Sequence, residues 1–502
     1  MRPHRLLGLV LFVVSSLSTA QASAQDRDSP KQSLATSVVE VRVIADAPDL
    51  LSPWQTEGIE PFGGSGVIID GNRVLTNAHV VENAVAIEVK RPGVARSFPA
   101  QVAFISHDAD LALLRVPDEA FFEEATPVPL GPMPKLRQTV DVYGFPIGGS
   151  TLSITSGIVS RIEVELYAQS LRELLAIQID AAINFGNSGG PIMSGGKVVG
   201  IAMQTYGSDD AENVGYAVPS PVVAHFLEDV QDGRYDGYPA LGATLQKMRS
   251  PALRQSVGMR AGQTGGFVIQ VDYGGPAYGA LRPGDVILAI EGRPIANDLT
   301  IEWSDVGRVD YSYAVQQHQV GETIPITFLR DGKVLKKSLT LRDVKPLVPG
   351  RRTTERPRYY IFGGLVFQPL SEEFIDEPGV VYEDADVYAT SDNVVTKERR
   401  EVILLQRILP DRVNRGYQRW GGEIVRRVNG TVPRDLNHLV NLIERAQGQW
   451  LRLTLSGGYV LTLDLKEARA SGTRILDSYG IAEDRDLGTS AEPSKRKRRR
   501  RR

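Results

Sequence analysis

Short apolar runs separated by turn residues dominate the chain from Ser37 to about residue 220. Runs rich in Val and Ile alternate with Gly, Pro and Asn, as in VVEVRVI, GSGVIID, RVLTNAHVV and DLALLRV. Runs of about four to eight residues with such regular punctuation predict antiparallel strands of a sandwich or barrel. Helical periodicity first appears at residues 221–230, where four apolar residues share one face. The pattern therefore predicts a mostly β first domain that ends near residue 230.

The rest of the chain divides into two further units. A Gly- and Asp-containing linker covers residues 231–239, and a Pro- and Arg-rich stretch covers residues 346–358. The predicted boundaries are 1–24 for a leader, 35–230 for the first domain, 241–345 for a second, 359–467 for a third, and 468–502 for a disordered tail with a basic end.

An internal echo links the second and third units. Gly284–Gly292 and Gly422–Gly430 share a register of Gly, acid, two aliphatic residues, two variable positions and a final turn Gly. Such self-similarity predicts two divergent copies of one module. The second unit also carries an aromatic insertion between Asn297 and Gly321, whose Trp303, Tyr311 and Tyr313 fit either a core or a subunit contact.

The N-terminus has the features of a secretory signal peptide. Arg2 and Arg5 precede the apolar stretch Leu6–Leu17, and Ala22–Ala24 supplies small residues for cleavage before Gln25. We expect residues 1–24 to be removed and the protein to be exported, most simply to a bacterial periplasm. An uncleaved anchor is the alternative, although the apolar stretch is short for a hydrocarbon core of about 30 Å. An organellar transit peptide is not expected, since it would be richer in Arg and Ser over a longer stretch.

Composition removes several classes of protein. Apolar residues make up 42% and charged residues 23% of the 502 residues, as in soluble globular proteins. Cysteine is absent, which excludes disulfide scaffolds, thiolate metal sites and a cysteine nucleophile. The formal charge of −3 includes eight consecutive cations at Lys495–Arg502, so the body is acidic. A global nucleic-acid surface is not expected, whereas the tail is expected to contact an anionic surface.

Three residues in separate segments have the chemistry of a hydrolase. Imidazole is the side chain suited to act as a base near neutral pH, and the chain has few of them. The six histidines are His4, His79, His107, His225, His318 and His438. His79 lies in TNAHVV at a strand end, Asp110 in HDADLALL at a strand start, and Ser188 in GNSGGP. We predict a catalytic triad of His79, Asp110 and Ser188, and structural or surface roles for the other histidines.

The glycines around Ser188 suit an acyl-transfer site. A turn without Cβ atoms lets an acyl group approach, and the amides of Gly186 and Ser188 can point together at an oxyanion. Taken alone, GNSGG also fits a Gly-rich turn with an incidental serine. It matches the G-x-S-x-G nucleophile elbow as well, but that motif needs a following helix and the order Ser, Asp, His. The order here is His, Asp, Ser, and strand-like KVVGIAMQ follows.

These motifs together carry a family resemblance. GSGVIID, TNAHVV, HDADLALL and GNSGGPI, in that order, resemble the protease domain of the Deg/HtrA serine endoproteases. LRPGDVILAIEGRPIAND and YYIFGGLVFQPL extend the resemblance to the branch best known from plants and some bacteria. It implies a mostly β fold, in which a chymotrypsin-like double β-barrel is followed by two PDZ-like α+β domains.

The resemblance also implies partners and specificity. PDZ domains bind C-terminal peptides at a sheet edge beside a Gly-containing loop, and Leu241 and Gly242 are placed where the first such loop belongs. The second, at 363–366, is a weaker match, and packing alone is an equal alternative there. The family implies homotrimers or their multiples. It also implies a small or aliphatic residue before the scissile bond, in keeping with Ala182 six residues before Ser188.

The sequence therefore predicts an ATP-independent, secreted serine endoprotease that acts on unfolded or damaged proteins. No phosphate-binding Gly-x-x-x-x-Gly-Lys-Ser/Thr motif occurs, so no nucleotide is expected as a partner. No metal or other cofactor is expected either. The alternative, from another functional class, is a PDZ-based chaperone or scaffold whose protease fold is idle.

Overall fold

The structure is a computed structural model. It describes residues 34–123, 125–146, 151–205, 215–304, 306–344, 346–350, 356–375 and 395–488. The expected leader at 1–24 and the cations at 495–502 lie outside these ranges. Within them, no helix combines the length and apolar character needed to cross a membrane.

The first barrel is built from strands whose alternate residues face its interior. Val39, Val41 and Val43 on β1 are at most 2% exposed, while Arg42 between them faces solvent. The strands are β1 (Val38–Pro48), β2 (Thr56–Ile69), β3 (Arg73–Thr76), β4 (Ala84–Lys90), β5 (Phe98–Ser106) and β6 (Leu111–Arg115). They close in the order β1-β2-β3-β6-β5-β4, and a 3₁₀ turn follows at Glu119–Phe122.

A second closed barrel follows directly. Its strands are β7 (Thr139–Gly144), β8 (Ser153–Leu166), β9 (Glu173–Ile179), β10 (Pro191–Ser194), β11 (Lys197–Thr205) and β12 (Gly215–Pro219). They close in the order β10-β11-β12-β9-β8-β7. The two six-stranded barrels confirm the expected double-barrel fold, and helix α1 (Ser220–Asp229) ends this part of the chain.

The segment predicted as a linker is packed against the barrels. A 3₁₀ turn at Val230–Asp232 leads into Tyr235, whose hydroxyl lies 2.6 Å from Ser106 Oγ. Tyr238 is 1% exposed and stacks on His225 at 4.3 Å between ring centroids. Aromatic residues, which the Gly and Asp content of this segment obscured, therefore attach the next unit firmly to the first.

The second unit forms one sheet, a separate ribbon and two short helices. The sheet has β13 (Ala243–Lys247), β14 (Gly266–Val271), β15 (Val286–Ile290), β19 (Thr323–Arg330) and β20 (Lys333–Thr340) in that order, with β16 (Arg293–Pro294) on β15. The ribbon has β17 (Thr300–Trp303) and β18 (Gly307–Asp310), and the helices are α2 (Pro251–Ser256) and α3 (Ser312–Gln316). β13 is the edge strand of the sheet, with β14 as its partner.

The aromatic insertion lies between the second unit and the second barrel. Tyr313 is 3% exposed and meets Trp303 edge-on at 5.0 Å. Gln316 Nε2 donates to the carbonyl of Glu173 on β9 at 2.7 Å. The sequence left open whether these aromatic residues belong to the core or to a subunit contact. The described contacts favour a core position within one chain.

Two histidines also join these units. His225 Nε2 donates to the carbonyl of His318 at 2.9 Å, and its Nδ1 has no partner in the described part of the chain. Burial lowers the pKa of His225, so its neutral form is favoured at this contact. Both residues therefore have the structural role predicted for them.

The third unit is a seven-stranded sheet covered by helices. Its strands are β21 (Tyr359–Phe362), β22 (Leu365–Pro369), β23 (Ile403–Ile408), β24 (Glu423–Val428), β25 (Trp450–Leu455), β26 (Val460–Asp464) and β27 (Arg485–Asp486). They lie in the order β26-β25-β24-β23-β22-β21-β27. The helices are α4 (Glu372–Ile375), α5 (Leu436–Glu444) and α6 (Leu465–Tyr479), with 3₁₀ turns at Arg412–Asn414 and Ser456–Gly458.

The expected disorder from residue 468 onwards is wrong as far as residue 488. Helix α6 begins at the N-cap Asp464, whose carboxylate accepts from two amides at 3.0 Å, and it ends at Gly480 in the left-handed region. Ala468 and Ile475 on one face are at most 2% exposed. The polar composition suggested disorder, but helical spacing of the few apolar residues and two caps specify the helix.

The repeated segments Gly284–Gly292 and Gly422–Gly430 each form a strand of their sheet, β15 and β24, with an acid at its beginning. The two acids have different hydrogen-bond partners. In the second unit, Asp285 is 1% exposed and accepts from Arg330 Nε at 2.8 Å and Nη2 at 2.6 Å. In the third, Glu423 lies at the start of β24 and accepts from the buried hydroxyl of Ser456. The acid at the beginning of each strand is thus held by a different donor.

The Asp285 pair gives a testable stability difference. Replacing Arg330 by Ala leaves a buried carboxylate without its charged donor, and we expect a loss of about 2–3 kcal/mol in the free energy of unfolding. Arg282→Ala is the matched control, since its pair with Asp331 is exposed and such pairs contribute roughly 0–1 kcal/mol. Chemical denaturation measures both. Equal losses of unfolding free energy in Arg330→Ala and Arg282→Ala would contradict the stabilising role of the buried Asp285–Arg330 pair.

Candidate active site

The three predicted catalytic residues come from both barrels. His79 follows β3 and Asp110 precedes β6 in the first barrel, whereas Ser188 precedes β10 in the second. Residues 186–190, here called the nucleophile turn, lie against the end of β3. An added Cβ on Gly189 would lie 2.2 Å from Thr76 Oγ1 and 3.0 Å from the amide nitrogen of Asn77. The fold therefore brings the segment of the serine against the segment of the histidine.

Asp110 and His79 form a buried hydrogen-bonded pair. Asp110 Oδ2 lies 2.8 Å from His79 Nδ1, and Oδ1 accepts from the backbone N–H of His79 at 3.0 Å. Asp110 is fully buried and has a φ of 52°, while the His79 side chain is 13% exposed. Asn77 Nδ2 donates to the Asp110 carbonyl at 2.7 Å. This arrangement fixes the imidazole with Nε2 free to serve as the base.

The pKa of His79 is raised above its usual value. Burial acts against the imidazolium, but the charge of Asp110, its hydrogen bond and the charge of Glu82 together outweigh that effect. A carboxylate that stabilises the imidazolium is the electrostatic contribution expected of the acid in a triad.

The nucleophile turn has the backbone form that its glycines predict. Gly186 and Gly189 have φ values of 95° and 82°, which residues with a Cβ rarely adopt. Within the described residues, the amides of Gly186 and Ser188 have no acceptor, so both predicted oxyanion donors are available. The Ser188 hydroxyl donates to the carbonyl of Met203 at 3.4 Å, not to His79. Catalytic hydrogen bonds are often long without substrate and tighten in the complex.

Ser65, Thr76 and Asn77 are the residues of this site that sequence reasoning missed. All three are completely buried, and each donates to a backbone carbonyl of the site. The motifs GSGVIID and TNAHVV contain these three residues. The sequence alone did not predict their hydrogen bonds, because a polar residue beside a catalytic residue can have many roles that only the fold distinguishes. No cluster of three potential metal ligands occurs among the described residues.

The predicted peptide loop of the second unit lies at the start of its edge strand. Gly242 has a φ of 69° and its carbonyl accepts from the Asp272 amide at 2.9 Å, while Leu241 accepts from Ala277 at 3.2 Å. The loop thereby leads directly into β13. Burial raises the pKa of Asp272, whose Oδ1 has no partner in the described chain.

The corresponding loop of the third unit has different surroundings. Gly363 and Gly364 form the turn between β21 and β22, and β22 pairs with β21 on one side and β23 on the other. A ligand that binds by strand addition needs an unpaired edge. β22 offers none, so the second loop does not have the setting that the weaker motif suggested.

Comparisons with known proteins agree with a double barrel followed by two further units. A model of the trypsin-like peptidase domain matches residues 64–201, and two models of the PDZ domain match residues 239–341 and 348–487. The third match extends beyond the predicted boundary at 467 and includes helix α6. Together the three models cover most of the chain.

Relatives and a solved structure resemble the chain over long stretches. Protease Do-like 4, mitochondrial, from Arabidopsis thaliana is 37% identical over 446 residues, which are 89% of this chain and 84% of that protein. Protease Do-like 2, chloroplastic, from the same plant is 37% identical over 456 residues, 90% and 75% of the two chains. The structure titled HtrA-type protease AlgW with decapeptide has a TM-score of 0.48 and 24% identity, covering 62% of this chain and 97% of that one.

The expectation of a bacterial periplasm is wrong. The names of these relatives assign them to mitochondria or chloroplasts, which points to an organelle. The prediction of a secretory signal peptide depends on positive charge, a short apolar stretch and small residues near a cleavage site. Residues 1–24 also contain four serines and no acid, and organellar transit peptides share those properties. The criteria for the two kinds of leader therefore overlap in this segment.

The raised pKa of His79 predicts the pH dependence of activity. The base must be neutral to take a proton, so kcat/KM should fall as the pH drops through a value above 6.5, the ordinary histidine pKa. Asp110→Asn removes the main charge that raises it, so this acid limb should move to lower pH while kcat falls about 10⁴-fold.

Glu82→Gln is the matched control for that experiment. It removes the weakest of the raising charges without touching the hydrogen bonds of His79, so it should shift the limb slightly downward and leave kcat nearly unchanged. The measurement is kcat/KM on a peptide substrate for the wild type, Asp110→Asn and Glu82→Gln. It covers about pH 5 to 9, a range that includes the ordinary histidine pKa. A wild-type limb at or below the ordinary histidine pKa would refute the interpretation.

Proposed function

Because the chain belongs to the Do-like, HtrA-type family of serine proteases, we propose that it hydrolyses peptide bonds of unfolded or damaged proteins through His79, Asp110 and Ser188. The observation that carries this proposal is the buried pair of His79 and Asp110 lying beside the nucleophile turn. No nucleotide is required, since the hydrolysis of a peptide bond needs no phosphoryl donor.

The first half of the reaction forms an acyl-enzyme. Ser188 Oγ attacks the scissile carbonyl carbon while His79 Nε2 takes the hydroxyl proton, and Asp110 stabilises the resulting imidazolium. The carbonyl oxygen becomes an oxyanion that accepts from the amides of Gly186 and Ser188. When the tetrahedral intermediate collapses, the C–N bond breaks and His79 gives its proton to the leaving amine.

The second half releases the new carboxylate. Water attacks the acyl carbon while His79 Nε2 takes one of its protons, and the oxyanion that forms again accepts from the amides of Gly186 and Ser188. Collapse breaks the bond to Ser188 Oγ, which recovers its proton from His79. The enzyme thus returns to its starting state with one peptide bond replaced by an amine and a carboxylic acid.

The other units suit substrate capture and assembly. The edge of β13 beside Leu241 and Gly242, which has no strand partner in the described part of the chain, supports binding of C-terminal peptides.

The β1–β2 hairpin exposes apolar side chains, with Ile44 at 44%, Ile59 at 71% and Phe62 at 49%. Such a surface suits contacts between copies of the protease domain in a homotrimer or a multiple of it.

Proteolysis is tested by digestion of casein with the purified full chain. Ser188→Ala should lower kcat by about 10⁶-fold, since removing the nucleophile of a triad has that effect. Ser160→Ala, on the exposed side of β8, is the matched control and should digest casein like the wild type. If the wild type leaves casein intact but suppresses its aggregation, the chain acts instead as the chaperone or scaffold with an idle protease fold.

The proposed specificity depends on the residue six positions before Ser188. Ala182 carries no charge at the position six residues upstream, and its carbonyl accepts from Thr155 Oγ1 at 3.0 Å. Peptides with Val or Leu before the scissile bond should therefore be cleaved faster than those with Lys or Arg.

Ala182→Asp sharpens this test, because it adds a carboxylate where a cationic side chain would be bound. The variant should raise the relative rate after Lys and Arg by about tenfold or more, as expected for one new charged hydrogen bond of roughly 1.5–3 kcal/mol. Parallel kcat/KM measurements on the four peptides decide. A wild-type preference for Lys or Arg would overturn the assignment.

A further inference from the structure

Ser65 holds the nucleophile turn by two hydrogen bonds. It lies on β2 and is completely buried. Its backbone N–H donates to the carbonyl of Ser188 at 2.8 Å, and its hydroxyl donates to the carbonyl of Gly186 at 2.7 Å. The peptide groups that follow Gly186 and Ser188 are thus both fixed by one residue of the other barrel.

The same residue also contacts the segment that carries the base. Thr76 Oγ1 donates to the carbonyl of Ser65 at 2.7 Å, and Thr76 ends β3 three residues before His79. The Ser65 hydroxyl in turn accepts from the N–H of Phe145, just past β7, at 2.8 Å. All the polar groups of Ser65 are therefore used, and they join the histidine segment to two segments of the second barrel.

We propose that Ser65 is a positioning residue that sets the distance between Ser188 Oγ and the His79 ring. The proposal rests on the proposed function of the triad. Nucleophile and base belong to different barrels, so their separation depends on how the barrels meet. A misplacement of about 1 Å in an active site can lower the rate about 100-fold.

Ser65 is tightly packed against two glycines. An added Cβ on Gly189 would lie 2.2 Å from the Ser65 carbonyl oxygen, and one on Gly144 would lie 3.0 Å from its Oγ. Removal of the hydroxyl leaves the Gly186 carbonyl without its donor and the Phe145 amide without its acceptor. Since unsatisfied buried groups are unfavourable, the turn is expected to move towards other partners or water.

Ser65→Ala tests the proposal in the full-length protein. On a peptide substrate, kcat per active site should fall about 10- to 100-fold with KM within about twofold of wild type, because alignment rather than binding is lost. The rate of Ser188 labelling by a fluorophosphonate probe should fall by a similar factor. Ser456→Ala is the matched control. That hydroxyl is 2% exposed, accepts from the Ile424 amide at 3.0 Å and donates to Glu423, far from the triad.

The control separates positioning from stability. Both variants should lower the unfolding temperature, but only Ser65→Ala should slow labelling. If Ser65→Ala does not fold, Thr76→Val and Thr76→Ser decide, because the first removes the hydroxyl that holds the Ser65 carbonyl and the second keeps it. The valine variant should lose about tenfold or more in kcat, and the serine variant should stay within about twofold of wild type.

Two outcomes would overturn the proposal. One is a labelling rate for folded Ser65→Ala within about twofold of wild type, and the other is equal activity of the two Thr76 variants. Failure of the proposed function is distinguishable, since a protein that reacts with the probe but leaves every polypeptide substrate intact is not an endoprotease. In that case the labelling rate alone still decides the role of Ser65.

Discussion

The site depends on a contact between two barrels that only a residue without a side chain allows. Gly189 lies so close to Ser65 and Thr76 that any Cβ would overlap both, and its amide donates to the Ala202 carbonyl at 3.0 Å. The contact brings backbone from the second barrel within hydrogen-bonding reach of β2 and the end of β3. The contact therefore places the turn that carries Ser188 against the end of the strand that leads to His79.

The second constraint is a carboxylate with no exposure to water. Burial of such a group is unfavourable unless hydrogen bonds replace its hydration. Asp110 accepts from both the ring and the amide of His79, and its own carbonyl is held by Asn77. These bonds offset the loss of water and also fix the tautomer of the imidazole. Stability and the proposed chemistry thus require the same geometry, because the group that satisfies the buried acid is the imidazole predicted to act as the base.

The sequence predicted what is encoded locally and missed what depends on contact between distant segments. The barrels and the grouping of His79 with Asp110 could be predicted because short motifs mark each strand end. Ser65 could not, since its partners at residues 145, 186 and 188 become neighbours only after both barrels close. The prediction of disorder from residue 468 onwards was wrong as far as residue 488 for a related reason. Composition described residues 468–488 as polar, whereas the few apolar positions at helical spacing determined their structure.

The two modules after the barrels differ in whether the strand after the Gly-containing loop lies at the edge of its sheet. Both place an acid at the beginning of a central strand, and this acid accepts a hydrogen bond from Arg330 in one module and from Ser456 in the other. Their Gly-containing loops nevertheless lead into strands with different neighbours. β13 has one paired side, while β22 is paired on both. A peptide could not add a strand beside β22, because the backbone groups that it would use there are already engaged by β21 and β23.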